Sequence, residues 1–317
     1  QAVNGTEDCL VTSRALEKSY LSTMYSLEFA VGFVGNSLVV LGYIFCLKEW
    51  KSGNIYLFNL SLSDLLFLCT LPILVSSYSS GRWLGSNILC HSNRFLLHAN
   101  LYTSILFLTV ISIDRYMLIK HPFRECILQK RKAAFAVCVA VWILVILELL
   151  PLMFFLEPVA PENNFTCLDY ASSGDPANSL IYSVFLTVFG FLIPLAVMCF
   201  FYVKMLLFLK NWKDQTSSFL TLEKPLTLVV LALATFSLLF TPYHVMRNIR
   251  LISRIPDLNV SACTQGVIKA IYVITRPIAF LNSAINPVFY FLMGDHFREM
   301  LMAKVTQVWN RLTATRK

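Results

Sequence analysis

The sequence predicts an all-α membrane protein: a bundle of seven transmembrane helices, followed by a short amphipathic helix on the membrane surface. Of the 317 residues, 57% are hydrophobic and only 14% are charged, whereas a soluble domain has about 25% charged residues. Seven apolar segments can each hold the roughly 20 residues that cross a bilayer. These segments are 21–47, 54–80, 90–119, 133–156, 179–209, 225–251 and 267–292. No fixed-period repeat divides them, so we predict one membrane domain over 20–293, an outer segment at 1–19 and a tail at 294–317.

The second and third spans carry ionisable residues at membrane depth. Asp64, within "NLSLSDLLFL", is a lone carboxylate near the middle of the second span. The third span ends in "ISIDRYMLIKHPF", where Asp114 and Arg115 stand at the inner edge. Such residues are costly in a bilayer and indicate functional sites. The alternative interpretation for Arg115 is a side chain that extends to the interface.

Other cations are predicted in the outer halves of the third and sixth spans. Arg94 and His98 lie one turn apart in the third span, and Arg247 follows Pro242 in the sixth. Five spans add tyrosines at this level: Tyr25, Tyr78, Tyr102, Tyr243 and Tyr272. Arginine forks and phenol hydroxyls fit carboxylate or phosphate oxygens. Residues 91–105 contain no carboxylate, which disfavours an amine ligand.

The seventh span contains one full charge, Arg276, and ends near "NPVFY". Pro287 removes a backbone donor and loosens the helix beside Asn286. Arg276 precedes Asn286 by ten residues, which places it about 15 Å further out. A desolvated guanidinium at that depth needs an anion or water.

Structural roles are the alternative interpretation for several of these residues. An internal salt bridge alone could hold Arg276, and Asp169, two residues after Cys167, is the candidate partner of an arginine in the empty cavity. His98 could be a satisfied polar residue of the core. Arg254, at the top of the sixth span, is expected to be a solvated charge.

The distribution of lysine and arginine predicts the orientation. If the N-terminus is outside, the inner loops and tail carry 16 of these residues and the outer side nine, as the positive-inside rule requires. Three glycosylation sequons, at Asn4, Asn164 and Asn259, then all fall outside. We therefore expect a multi-pass protein of the plasma membrane with an extracellular N-terminus.

The nine cysteines divide by location. Four fall on the outer side, where disulfides persist, and four cysteines allow three pairings. We favour Cys90–Cys167, from the top of the third span to the second outer loop, together with Cys9–Cys263. The others show no spacing typical of a metal site and are expected to be small buried apolar residues. They are Cys46, Cys69, Cys126, Cys138 and Cys199.

Several short motifs together resemble class A G-protein-coupled receptors. They are "GN" at 35–36, "LSLSD" at 60–64, Asp114-Arg115-Tyr116, Trp142, Pro194, "FSLLFTP" at 236–242 and "NPVFY" at 286–290. Each motif alone is weak, but their order and spacing together are specific. The resemblance implies a heterotrimeric G protein (Gi and/or Gq) as partner, with arrestin and membrane lipid as further partners.

The resemblance also implies roles at the inner end. Asp114, Arg115 and Tyr116 would form a lock, and Tyr202 and Tyr290 would swing inward on activation beside Asn286 and Pro287. Phe240 stands where the family usually has a tryptophan toggle. An allosteric sodium ion is expected at Asp64, Ser104, Asn282 and Asn286. The surface helix would span 294–305, with Phe297, Met300 and Leu301 on its apolar face.

Longer strings are similar to the purinergic-like branch of this family, and within it to succinate-sensing members. These strings include "NLYTSILFLT" at 100–109, "TPYHVMRN" at 241–248 and "TRPIAFLNSAINPVFYFLMGDHFRE" at 275–299. The resemblance implies that the ligand is succinate or a similar dicarboxylate, bound by Arg94, His98, Arg247, Arg276, Tyr25 and Tyr78, with Asp169 as a gate. The alternative is a related anion, 2-oxoglutarate or a nucleotide.

Three other classes of protein fit the sequence less well. A dicarboxylate transporter would usually show internal repeats and broken helices at mid-membrane, and a receptor that only binds would not need the inner motifs. An enzyme is not expected, because the sequence offers no nucleophile–base set, metal cluster or phosphate-binding glycine loop. The basic balance is explained by the inner loops, so a nucleic-acid partner is not expected either.

Overall fold

The computed structural model describes residues 15–47, 49–83, 85–121, 129–155, 167–213, 223–293 and 306. The described residues contain seven helical spans, and we label these spans α1 to α7. They are α1 Leu16–Phe45, α2 Ser52–Ser80, α3 Asn87–Lys120, α4 Arg131–Phe155, α5 Pro176–Lys210, α6 Val229–Ser253 and α7 Ala262–Val288. Each is long and apolar enough to span a bilayer, so the predicted seven-helix fold is confirmed. The predicted surface helix at 294–305 lies outside the described residues.

Several spans change helical type at or near a proline. The α2 span breaks between Leu68 and Leu71, just before Pro72, and the Thr70 hydroxyl donates to the Phe67 carbonyl oxygen at 2.7 Å. Wide π-helical turns occur at Val188–Leu192 in α5 and Phe236–Phe240 in α6. Since proline lacks a backbone donor, it loosens the helix nearby.

The α7 helix, which continues to Met293, contains two prolines, Pro277 and Pro287. Pro277 directly follows Arg276, and Pro287 directly follows Asn286; both polar residues were singled out from the sequence. The loosened backbone therefore lies beside both levels at which polar groups are buried in α7.

The α3 span lies at the centre of the bundle. It packs against α2 on one side and α5 on another, and most of its polar residues are buried, among them Arg94, His98 and Asp114. In contrast, α4 turns apolar side chains such as Leu147 and Phe154 outward, as expected for a helix in contact with lipid. Because α3 is central, its inward face carries the polar groups of both the outer and the inner site.

The Cys90–Cys167 disulfide is formed and joins the top of α3 to the second outer loop. Cys263 is also disulfide-bonded, and its predicted partner Cys9 lies outside the described residues. Cys138 is buried as predicted, but Cys69 and Cys199 are exposed. The prediction of burial is wrong for these two because thiols are apolar enough to face lipid. The side chains of Cys46 and Cys126 are not among those described.

The outer turn between α6 and α7 contains Asn259, one of the three predicted sequon residues. Asn259 is exposed and adopts a left-handed backbone conformation with φ of 47°, which asparagine tolerates better than most residues. Asn4 and Asn164 lie outside the described residues.

Candidate ligand cavity and activation switches

Two buried guanidinium groups meet at one phenol in the outer half of the bundle. Arg276 of α7 donates from Nη2 to the Tyr78 hydroxyl at 3.0 Å, and Arg94 of α3 makes a longer contact of 3.5 Å with the same oxygen. Arg94 also donates from Nη2 to the Cys167 carbonyl oxygen at 2.5 Å. Arg94 is 2% exposed and Arg276 5%, so both charges are largely removed from solvent. We call Arg94, Arg276, Tyr25 and Tyr78 the anion cluster.

The anion cluster holds hydrogen-bond donors that no described residue uses. Nε and Nη1 of Arg94 and the Tyr25 hydroxyl are buried and have no partner among the described residues. The Tyr25 ring stacks on Tyr78, with centroids 6.2 Å apart, so its hydroxyl is held at the same level. Because buried donors without acceptors are costly, this arrangement is suited to an anion with several oxygen acceptors.

Asp169 lies beside this cluster, but its direct partner is not an arginine. Its Oδ2 accepts a hydrogen bond from the Tyr272 hydroxyl, and Oδ1 lies 3.9 Å from Nε2 of His98. The described residues contain no ion pair within 4.0 Å between Asp169 and an arginine. The prediction that Asp169 pairs with an arginine is therefore wrong for this state. Arg276 is directed to Tyr78 instead, and Arg94 to a backbone carbonyl.

The arginines nevertheless set the charge of Asp169. Burial by itself raises the pKa of this carboxyl, but Arg276, His98, Arg94 and the hydrogen bond from Tyr272 together outweigh burial and hold the pKa below its ordinary value of 3.8. Asp169 is therefore a carboxylate at neutral pH, and its negative charge acts on the buried arginines of the anion cluster.

Arg247 lies in a separate, fully bonded cage between α3, α5 and α6. Its Nε donates to Ser183 Oγ at 2.9 Å, Nη1 donates to the Tyr102 hydroxyl at 2.8 Å, and Nη2 donates to Thr187 Oγ1 at 3.0 Å. Nη2 also lies 3.1 Å from Nδ1 of His244. All of these partners are neutral, so the charge of Arg247 is solvated by hydroxyls and an imidazole rather than by a carboxylate.

His98 stands between the anion cluster and the Arg247 cage. Its Nδ1 lies 2.8 Å from the Arg94 carbonyl oxygen, and its Nε2 lies 3.3 Å from the Tyr243 hydroxyl. The Tyr243 ring lies 5.4 Å from the Arg247 guanidinium carbon. Residues 94, 98 and 102 follow one face of α3 at four-residue spacing, which explains how one helix serves both groups.

The site includes residues that the sequence reasoning did not assign to it. Ser183, Thr187 and His244 hold Arg247, and Tyr102 was noted only as one hydroxyl among several. A four-residue spacing of hydroxyls on an apolar helix, as in Ser183 and Thr187, is the signal that could have found two of them.

Arg254 is bonded to the second outer loop, which corrects the expectation of a solvated charge. Its guanidinium donates to the carbonyl oxygens of Ala171 at 3.3 Å, Ser173 at 3.0 Å and Gly174 at 2.9 Å. The loop segment that follows Asp169 is thereby fixed to the outer end of α6. Loop carbonyls are invisible to sequence patterns, so this role could not be predicted.

The inner end of α3 is in a closed arrangement. Arg115 donates from Nη2 to Asp114 Oδ2 at 2.7 Å, and the Ser52 hydroxyl of α2 donates to Oδ1 of the same carboxylate at 2.6 Å. The Tyr116 ring packs against Phe201 of α5. The arginine is therefore held within α3 rather than presented at the inner surface.

Phe240 and Tyr202, two other predicted switch residues, pack among apolar side chains. Phe240 is fully buried and makes an edge contact with Phe236 within the wide turn of α6. Tyr202 packs against an inner apolar cluster that includes Met205 and Val229. The side chain of Tyr290 is not among those described.

A polar cluster surrounds Asp64 in mid-membrane. Asp64 accepts hydrogen bonds from Asn286 at 2.7 Å and from Asn100 at 2.8 Å, and Ser283 donates to Asn100 Oδ1 at 3.0 Å. Asn100 and Ser283 were not predicted members.

Three of the residues expected to hold a sodium ion have the oxygen chemistry that such an ion requires. Ser104 Oγ, Asn282 Oδ1 and Asn286 Oδ1 are buried oxygens without a hydrogen-bond partner in the described chain. Hard cations take oxygen ligands of this kind, with a carboxylate to balance their charge.

Comparison with known proteins gives consistent results. Residues 35–290 match the family described as "7 transmembrane receptor (rhodopsin family)". The chain is 58% identical over 310 residues to succinate receptor 1 of Rattus norvegicus, covering 98% of both chains. It is 34% identical to 2-oxoglutarate receptor 1 of Rattus norvegicus, covering 96% of this chain and 89% of the relative. It is 36% identical to a purinoceptor of Gallus gallus, covering 95% of this chain and 83% of the relative.

These matches span nearly the whole chain, and each relative is a receptor rather than an enzyme. With seven membrane spans and the inner motifs in place, the chain belongs to the rhodopsin family of seven-transmembrane receptors.

Proposed function

We propose that this chain is a G-protein-coupled receptor for extracellular succinate. The observation that carries the proposal is the anion cluster, in which two buried arginines share the Tyr78 hydroxyl while donors of Arg94 and Tyr25 remain without partners among the described residues. The 58% identity to succinate receptor 1 supports the same ligand. A dicarboxylate supplies the negative charge and the acceptor oxygens that the cluster lacks.

The ligand binds with its two carboxylates at different places. One end accepts hydrogen bonds from Arg94, Arg276 and Tyr25. The other end faces His98 and approaches the Arg247 cage, where the guanidinium has only neutral partners among the described residues. Each carboxylate then meets a partly compensated positive charge in a site of low dielectric, where charge-assisted hydrogen bonds are strong.

Asp169 acts as the gate of this site. Its charge partly compensates Arg276 and Arg94, and an incoming dianion takes over that compensation. Because like charges repel, the loop segment that carries Asp169 must yield or lose its bond to Tyr272 as the ligand enters. Ligand binding is thereby linked to the outer ends of α6 and α7.

Activation follows if the ligand binds the active arrangement more tightly than the closed one. Pulling α6 and α7 toward α3 at the outer end opens the inner end and breaks the Arg115–Asp114 contact, so that Arg115 faces the G protein. Asp64, Ser104, Asn282 and Asn286 would hold a sodium ion, and the Asp64 carboxylate would balance its charge. The inner loops lie in the cytoplasm and the N-terminus outside the plasma membrane, as the lysine and arginine counts favour.

The experiment records G-protein activation in cells that express the full chain. Succinate, malate, 2-oxoglutarate and a nucleotide panel are compared, with Gi and Gq readouts in parallel. The variant Arg276→Ala is tested beside Arg82→Ala, which removes an exposed charge at the outer end of α2, and surface expression is measured for each.

We expect a succinate response that Arg276→Ala abolishes and Arg82→Ala preserves. A response to 2-oxoglutarate or a nucleotide, with silence to succinate, would keep the receptor assignment and reject the ligand. Succinate uptake without G-protein activation would indicate a transporter and reject the signalling role.

A further inference from the structure

A cavity opens between the outer halves of α4 and α5, and none of the anion-cluster residues lines it. It has a volume of about 790 Å³, and its walls include Leu147, Ile181, Phe185 and Phe189. All four side chains are strongly exposed on the surface of the bundle, which in a spanning helix means contact with lipid. We call this cavity the α4–α5 groove.

The groove lies at the depth of the outer leaflet. Glu148 is one of the residues that line the groove. The α4 helix begins at Arg131 at its inner end, and Glu148 lies 17 residues further along the helix. At 1.5 Å per residue, this places Glu148 about 25 Å from that end. The hydrocarbon core is about 30 Å thick, so an occupant reaches the groove from the membrane.

Glu148 is the ionisable group of the groove. Its Oε2 is buried and has no hydrogen-bond partner within the described chain, and no cation of the described residues lies within 4.0 Å of it. The nearby Tyr182 hydroxyl donates to the Glu148 backbone oxygen at 2.9 Å instead. A carboxyl group at membrane depth without a partner is costly and indicates a functional site.

The same carboxyl group reaches toward the Arg247 cage. A Cβ added to Gly190 would lie 3.6 Å from Glu148 Oε2 and 2.6 Å from Cε1 of the Tyr102 ring. The side chains of Glu148 and Tyr102 therefore both approach α5 at Gly190, which has no side chain and lies inside the wide turn Val188–Leu192. Tyr102 in turn accepts a hydrogen bond from Arg247. An occupant that binds Glu148 thus lies next to a residue that positions Arg247.

We propose that the α4–α5 groove binds a lipophilic amine dissolved in the membrane. Its apolar chain packs on Phe185 and Phe189, and its ammonium group donates a hydrogen bond to the Glu148 carboxylate. An ammonium supplies both the donor and the opposite charge, whereas a lipid hydroxyl supplies only the donor, and a charge-assisted bond is the stronger of the two. This site is independent of the succinate proposal.

The test uses purified full-length receptor in lipid nanodiscs and a photoreactive long-chain primary alkylamine. A long-chain alcohol with the same photoreactive group is the matched probe, and labelled peptides are mapped by mass spectrometry. Glu148→Gln removes the charge and keeps the shape of the side chain. Glu17→Gln is the control, because Glu17 pairs with Lys269 at the outer rim at 2.9 Å, outside the groove.

We expect the amine to label peptides from 144–155 and 181–189, with competition by unlabelled amine. Glu148→Gln should reduce labelling at least about tenfold, which corresponds to the loss of one charge-assisted contact, while Glu17→Gln leaves it unchanged. Equal labelling of the intact receptor and Glu148→Gln, or equal labelling by amine and alcohol, overturns the proposal.

A second variant covers the case in which Glu148→Gln does not fold. Ile181→Trp adds bulk to a side chain that is 72% exposed at the groove, so it obstructs the cavity and keeps the carboxyl group. Amine labelling should fall in this variant as well, and unchanged labelling contradicts the assigned site.

Discussion

Removing one oxygen atom, in Tyr78→Phe, tests the anion cluster with little change in shape. The Tyr78 hydroxyl is the atom at which Arg276 and Arg94 meet, at 3.0 and 3.5 Å. The ring itself stacks on Tyr25, and phenylalanine retains that packing. The variant therefore isolates the contribution of the hydroxyl to the position of the two guanidinium groups.

The expected magnitude follows from the two distances. The 3.0 Å contact is a hydrogen bond to a charged group, which contributes about 1.5–3 kcal/mol, whereas the 3.5 Å contact is at the limit of hydrogen bonding and adds little. If this energy is needed to place Arg276 for the ligand, succinate potency should fall about 10- to 150-fold, since about 1.4 kcal/mol corresponds to a factor of ten.

The assay is a succinate concentration–response curve for G-protein activation at matched surface expression. Tyr20→Phe is the control, because the Tyr20 hydroxyl donates to the Ile274 carbonyl oxygen at 3.1 Å and is not part of the anion cluster. Unchanged potency in Tyr78→Phe, or an equal loss in Tyr20→Phe, would refute the reasoning that the shared phenol positions the arginines.

Further predictions concern Asp169, Asp64 and Arg254. Asp169→Asn should lower the melting temperature of the empty receptor and enlarge the shift that succinate causes, since the ligand then supplies the missing negative charge; a smaller shift would contradict the gate. The pKa of Asp169 is held below 3.8, so its stabilising contribution is present at neutral pH and is lost only as the pH falls through that lowered pKa. The melting temperatures of the intact receptor and of Asp169→Asn should therefore differ by a constant amount from pH 5 to pH 8. Asp64→Asn should abolish any effect of sodium chloride, compared with potassium chloride, on agonist affinity, and an equal sodium effect in the variant would reject the ion site. Arg254→Ala should speed hydrogen exchange in 171–174, where it frees three carbonyl oxygens, and unchanged exchange would show that the loop is held by other contacts.

The fold could be predicted almost completely from the sequence, because a bilayer imposes its thickness on every span. Seven apolar segments and the lysine and arginine count require no knowledge of packing. The wide turns at Val188–Leu192 and Phe236–Phe240 were not predicted. They depend on how a helix relieves strain near Pro194 and Pro242, and several backbone geometries do so equally well.

The candidate site could be predicted in its composition but not in its connections. Charged residues in apolar spans are conspicuous, so Arg94, Arg247 and Arg276 stand out. Which of them share partners depends on the rotation of each helix, and this separates Arg247 in its neutral cage from the other two. The partner of Asp169 is also a matter of side-chain direction, and it proved to be Tyr272.

Direct binding of isotopically labelled succinate to the purified receptor tests the central claim most closely. We predict saturable binding that Arg276→Ala weakens at least about 30-fold, because truncating one partner of a buried charge pair costs about 2–5 kcal/mol. Binding of unchanged affinity in Arg276→Ala, or no succinate binding by the intact and folded receptor, would contradict the account of the anion cluster.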